Sequence, residues 1–177
     1  KRFSRSYLVN LNYTWSRHLA EGTDATQGNN YQDPNRADLE YGLSELHRGQ
    51  IFTASWVWEL PKLSGSNAVV RQVIGGWQVT GLVNLRSGAP FNIITGVDNS
   101  LTAAGQDRPN QIKEGKLPTS RSRGDLVAQY FDKTAFVANP LRTFGNVGRN
   151  SLIGPGLDNV DFGMHKYFRL HAGHDLQ

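Results

Sequence analysis

A few clusters of side chains have the types and spacing that site chemistry uses. Asp24, Asp33, Asp38 and Glu40 crowd one polar stretch and would offer oxygen ligands to a hard cation such as calcium. Their spacing lacks the pattern of an EF-hand loop, and plain solvation accounts for such an acidic stretch without a metal. His171 and His174 stand three positions apart, which suits a ligand pair on a helix. They fall in a predicted turn, however, and read as surface residues. Gly145-Asn146-Val147-Gly148-Arg149 looks like an anion cradle but lacks the Lys-Ser/Thr and the strand-to-helix setting of a phosphate loop. Its glycines are expected to serve tight turns with positive φ. There is no Gly-x-Ser-x-Gly elbow, no carboxylate pair placed for acid–base work and no cysteine. The residues thus predict no catalytic, cofactor or metal site, and a chain that is not an enzyme.

The elements that would position any site show a period of two. From Phe3 to Trp15, Phe3, Arg5, Tyr7, Val9, Leu11, Tyr13 and Trp15 alternate with Ser4, Ser6, Leu8, Asn10, Asn12, Thr14 and Ser16. One face is aliphatic and aromatic, the other hydroxyl and amide, as in a strand separating an apolar phase from a wet one. A second strand is predicted from Gln50 to Leu60, with Phe52, Ala54, Trp56, Trp58 and Leu60 on one face and a mixed opposite face. A third runs from Val73 to about Ser87 and a fourth from about Leu157 to Leu170. Asp175-Leu176-Gln177 opens a fifth. These strands exceed the ~5 to 6 residues usual in globular sheets and reach the ~9 to 11 that cross a bilayer at a tilt. Tyr13, Trp15, Trp56, Trp58, Trp77, Tyr167 and Phe168 lie near strand ends, where an interfacial aromatic girdle would sit.

The connections alternate in length. Arg17 to Arg48 is long and polar, Pro61 to Gln72 shorter, Gly88 to Gly156 very long, and His171 to His174 a tight turn. Outer-membrane barrels pair long external loops with short periplasmic turns in this way, which directs strand one outward, two inward, three outward and four inward. Gln78, Thr80, Asn84, Arg86, Asp161 and His165 then face the lumen. Their substrate-binding role is unknown; they would solvate the interior or contact a plug. Tyr130, Phe131 and Phe136 either pack the third connection against itself or touch a ligand.

Composition narrows the classes. The chain has 177 residues, 38% of them hydrophobic, and no apolar run near the ~18 to 20 a spanning helix needs. A barrel buries only alternate side chains in lipid, so this average is compatible with one. The net charge of +4 is scattered, with no run suited to nucleic acid. Lys1-Arg2-Phe3-Ser4 has no signal-segment pattern.

Several segments together resemble the barrel region of Oar-like TonB-dependent receptors, which often carry a carboxypeptidase-regulatory-like domain upstream. They are Tyr13-Thr14-Trp15-Ser16, Asp33-Pro34-Asn35, and His47-Arg48 leading into Ile51-Phe52-Thr53-Ala54-Ser55. Further on come Glu59-Leu60-Pro61, Ile74-Gly75-Gly76-Trp77-Gln78-Val79-Thr80-Gly81 and Ser87-Gly88-Ala89-Pro90-Phe91. Arg108-Pro109-Asn110, Tyr130-Phe131-Asp132, Phe144-Gly145-Asn146-Val147-Gly148-Arg149-Asn150, Gly154-Pro155-Gly156 and Asn159-Val160-Asp161 complete the series. The resemblance implies a partial barrel domain over residues 1–177, near the barrel's C-terminal end, with the plug and final strands elsewhere. It further implies a location in the cell outer membrane, contact with outer-membrane lipid, energy from the TonB system through the plug, and passage of an unidentified solute. Four strands and a stub cannot close a barrel, for which ~8 is the usual minimum, so the expected fold is all-β: part of a transmembrane antiparallel barrel with long extracellular loops. Two other functions share features of this pattern. One is a barrel that only anchors a surface adhesin. The other is a secreted carbohydrate-binding β-sandwich using Trp15, Trp56 and Trp77 as stacking platforms.

Overall fold

The computed structural model describes residues 6–21, 31–33, 35–61, 67, 73–103, 105, 107–169 and 175–176. In chain order the strands are β1 (Tyr7–Trp15), β2 (Leu19–Glu21), β3 (Tyr41–Leu43), β4 (Gln50–Glu59), β5 (Trp77–Arg86), β6 (Pro90–Phe91), β7 (Asn110–Gln111), β8 (Phe136–Val137), β9 (Leu152–Ile153), β10 (Leu157–Lys166), β11 (Phe168–Arg169) and β12 (Asp175–Leu176). The α-helix α1 (Arg123–Ala128) lies whole among the described residues. The chain divides into two compact units: residues 1–15, 49–87 and 156–177, and residues 16–48 and 88–155.

The first unit is an antiparallel meander, ordered β1-β4-β5-β10. Over the described residues its strands run for 9 or 10 residues, within the ~9 to 11 of a tilted spanning strand. Their ends have local causes. Pro61 follows Leu60 and has no N–H for a ladder. Val73 and Ile74 form a helical turn, and Gly76, at φ +77, turns the chain into β5. A Cβ at Gly76 would lie 2.7 Å from the Tyr167 carbonyl oxygen, so glycine is required there twice over. Beyond β10, β11 pairs antiparallel with β12, the expected start of a fifth strand. Phe3 to Arg5, His171 and His174 lie outside the described residues.

Register makes the two faces explicit, because residues directly opposed in a ladder share a face. Leu11, Ala54, Val83 and Val160 align as one aliphatic row. Toward the short connections, the next rows are Val9, Trp56, Gly81, Phe162 and then Tyr7, Trp58, Val79, Met164. Toward the long connections, Tyr13, Phe52, Leu85 and Asp158 align, and Trp15 opposes Gln50. Aromatic bands therefore flank an aliphatic middle on one face of the sheet. Gly81 belongs to this packing: a Cβ there would meet the Trp56 ring at 2.0 Å, so the indole lies across the gap the glycine leaves. Tyr167 departs from the expected girdle, since its hydroxyl donates to Gln78 Oε1 at 3.3 Å, on the opposite face.

That opposite face carries the rows Asn12, Thr53, Asn84, Asn159 and Asn10, Ser55, Leu82, Asp161. The apolar face is not covered by a core. Leu11, Trp15, Val160 and Phe162 are 68%, 78%, 65% and 68% exposed, and Ala54 is the one buried apolar residue of the sheet among those described. An aqueous sheet would not leave such a surface open; a lipid-facing wall would.

Candidate functional site

The second unit, residues 16–48 and 88–155, comes from the two long connections. These connections are organised by short pairs, β2 with β3, β6 with β9 and β7 with β8. Helix α1 begins at Ser122, whose hydroxyl accepts from the Asp125 N–H at 3.2 Å and donates to its carboxylate at 2.7 Å, a reciprocal N-cap.

What holds this unit together is a polar core. Gln32, Glu40, Ser44, His47, Asp107, Arg108, Asn139, Arg149 and Asn150 are all buried. One Arg108 Nη contacts both Glu40 carboxylate oxygens at 2.9 and 2.8 Å. The Gln32 N–H donates to Glu40 Oε1 at 3.0 Å, and the Arg108 N–H donates to Gln32 Oε1 at 2.8 Å. Arg149 reaches the Glu40 carbonyl at 3.3 Å and the Glu45 carboxylate at 3.7 Å. The Asn150 amide donates to the Leu43 carbonyl at 2.6 Å. The Gln32–Glu40 bond lies within the first long connection and the others join it to the second, so neither connection completes the core alone.

A second polar knot lies within residues 95–143. Burial raises the Asp107 carboxyl, but hydrogen bonds from the Ser100 hydroxyl and N–H, Asn139 and the Asn99 backbone outweigh it and hold the group below its usual range. Asp132 is drawn down to about 2 by the Lys113 ammonium and by the Thr134 side chain and N–H. His47 is pushed below its ordinary value by burial and then by Arg17, Arg48 and His18, so it stays neutral and its Nδ1 accepts the His18 N–H at 3.2 Å.

The residues singled out from sequence are distributed as follows. Gln78, Thr80, Asn84, Arg86, Asp161 and His165 share the polar face of the sheet, as expected of lumen residues. Asp161 accepts from the Asn159 amide at 2.9 Å, and Asn84 Oδ1 is buried without a protein partner. The acidic cluster is dispersed: Glu40 pairs with Arg108, Asp38 with Arg36, and Asp33 bonds the Asn35 N–H. Asp24 lies outside the described residues, and no group of three or more potential metal ligands occurs among those described. The positive φ expected of the Gly145 loop is a correction. Among the described residues Gly76, Gly96 and Gly105 have positive φ, whereas Gly145 does not. Gly145 is required for close approach, since a Cβ there would sit 1.8 Å from the Arg108 carbonyl oxygen. The carbonyl of Gly145 also accepts from the Gln32 amide at 3.2 Å.

Phe131 packs the long connection internally, with ring centroids 5.9 Å from Phe91 and 5.8 Å from Phe136. Phe131 and Phe136 also wall a groove of about 300 Å³ with Ile93, Ile94, Pro109 and Val137, and Lys133 and Thr95 lie on its lining. Apolar walls with a few polar groups are the usual makeup of a small-molecule site, and this volume is at the lower end for one. Sequence reasoning missed the Glu40–Arg108 pair and the groove alike. The only signal for the pair was the presence of Arg108 and of Gly145 to Asn150 in the ordered motifs quoted above.

Trp15, Trp56 and Trp77 all lie on the apolar face of the sheet, within a continuous hydrophobic surface rather than as separate platforms. The family model of an outer membrane beta barrel domain matches residues 1–177. Neither the curated proteins nor the solved structures provide a match. The two-faced meander and the family match agree on location in the outer membrane, and the chain belongs to the outer membrane beta barrel domain family.

Proposed function

We propose that this chain is the wall and capture surface of an Oar-like TonB-dependent receptor, which admits a solute by moving a plug and carries out no covalent chemistry here. The observation that carries the reading is the fusion of both long connections into one ordered unit through the buried Gln32–Glu40–Arg108 network. A fixed recognition surface needs such preorganisation; a tether that only anchors does not. Several residues of the motifs that resemble the Oar-like receptors, including His47, Arg108, Gly145, Arg149 and Asn150, have structural duties in this unit. The proposed partners are outer-membrane lipid, the TonB system through the plug, and an unidentified solute contacting the groove beside Phe131, with no role for nucleic acid.

Formaldehyde cross-linking in cells that express the full-length parent tests the energy source. A TonB adduct is expected. Its absence, together with loss of surface attachment when the parent is deleted, would favour an adhesin anchor. Protease cleavage of a tag near Gly115 in intact cells, with a tag near Ser64 reached only after the outer membrane is opened, is the expected direction of the wall.

A further inference from the structure

Among the described residues, the apolar face carries a cation, Lys166, whose placement the barrel alone does not explain. Lys166 opposes Trp77 in the ladder, which puts it on the same face as Met164, Phe162 and Val160, at the short-connection end. A charge on a lipid-facing position is tolerated near the interface and costly deeper in. Lys166 meets this condition through a built arrangement. Its ammonium lies 4.7 Å from the centroid of the Trp77 ring and 5.3 Å from that of Phe168. It donates to the Val73 carbonyl at 2.9 Å and the Gly75 carbonyl at 2.8 Å. Trp77 is itself fixed, since its Nε1–H donates to the same Val73 carbonyl at 2.9 Å. An ammonium has three N–H donors, so with the described residues one is left over in a group whose position is set by two carbonyls and two rings.

We propose that Lys166, Trp77 and Phe168 form a binding site for the phosphate of a membrane glycerophospholipid. Charge and depth name the occupant: a lipid-facing cation at the edge of the hydrocarbon meets the phosphodiester layer, and the two rings offer apolar surface to the glycerol and upper acyl chain. The short-connection end of outer-membrane barrels is the periplasmic one, where the leaflet is phospholipid. The inference rests on the outer-membrane location and is independent of whether the protein transports a solute.

The test uses the full-length parent in maltoside micelles with added phosphatidylglycerol, counted as bound adducts by native mass spectrometry. Lys166→Gln is expected to retain the lipid about tenfold less well, the effect of losing one charge-assisted hydrogen bond, and Lys166→Arg to retain it. Equal retention by wild type and Lys166→Gln would overturn the site and leave Lys166 as a cap for the Val73 and Gly75 carbonyls. Displacement of the lipid by millimolar inorganic phosphate would overturn the lipid as occupant. Wild-type protein supplies a second readout that does not depend on a variant folding. Phosphatidylglycerol is expected to slow acetylation of Lys166 by acetic anhydride, and an unchanged rate would overturn the proposal.

Discussion

The sheet and the unit built from the long connections solve stability in opposite ways. In the sheet, order is repetitive: four antiparallel strands satisfy one another's backbone, and each face needs only the right polarity at alternate positions. In the other unit, order is singular. Its strands are two or three residues long, its buried apolar residues are Ile93, Ala135, Val147 and Leu152 among those described, and charged and amide side chains fill the rest. A repetitive structure absorbs most single substitutions, whereas a buried network fails at one atom.

The largest effect should come from the singular side. Arg108→Met leaves Glu40 charged, buried and unpaired, which costs about 3–5 kcal/mol. Limited proteolysis should then open residues 16–48 and 88–155 while heat-modifiable mobility on gels shows the barrel intact. Adding Glu40→Leu should recover most of the loss, because an apolar pair of similar volume replaces such an ion pair at little net cost. Loss of the barrel together with the loops in Arg108→Met would erase the contrast between the two units.

Next is a test of the two faces. Val160→Arg, in the aliphatic middle row, should destabilise the full-length parent by about 2–4 kcal/mol in lipid vesicles, read by urea titration. Asn159→Arg, one residue away on the polar face, should cost much less. Similar costs would refute the lipid-facing assignment.

A smaller loss is expected at the one place where the sheet behaves like a jigsaw. Gly81→Val drives a side chain into the Trp56 ring, an overpacking worth about 1–3 kcal/mol. Combining it with Trp56→Leu should restore folding yield, and failure to do so would point to backbone rather than ring contact.

The smallest effect is on pH. His47 has a pKa below its ordinary value, so the folded form resists protonation. The stability it contributes is complete above the unfolded value of about 6.5 and is lost as pH falls through the lowered pKa. The protection of the His18 amide, measured against its intrinsic exchange rate at each pH, should fall by about 1 kcal/mol or less from about pH 7.5 to 5.5, and His47→Asn should remove the dependence. Asp132 acts far lower. Its contribution is present above 3.8 and lost as pH falls toward about 2, so it should not contribute in the same window.

How legible each region was follows from the same contrast. Alternation from Tyr7 to Trp15 and from Trp77 to Arg86 carried the strands, their faces and the aromatic bands, because a period of two is written into neighbouring residues. Strand ends were less legible: Gly76 must admit the Tyr167 carbonyl and the Tyr167 hydroxyl reaches Gln78, partners that lie across the sheet. Glu40 read as one more solvated acid. Nothing near it in the chain announces Arg108, whose partnership spans 68 positions, and Gly145 looked like a turn glycine because the Arg108 carbonyl it must admit is also remote in sequence.

By itself, then, the sequence determined that this protein is a wall with one apolar and one wet face and long polar connections, because binary patterning is local and lipid reads it residue by residue. Only the tertiary structure decided that the connections form one ordered unit, that a groove opens beside Phe131, and that Lys166 is held over Trp77. Those outcomes depend on polar and charged side chains whose desolvation is tolerable only when distant partners arrive together.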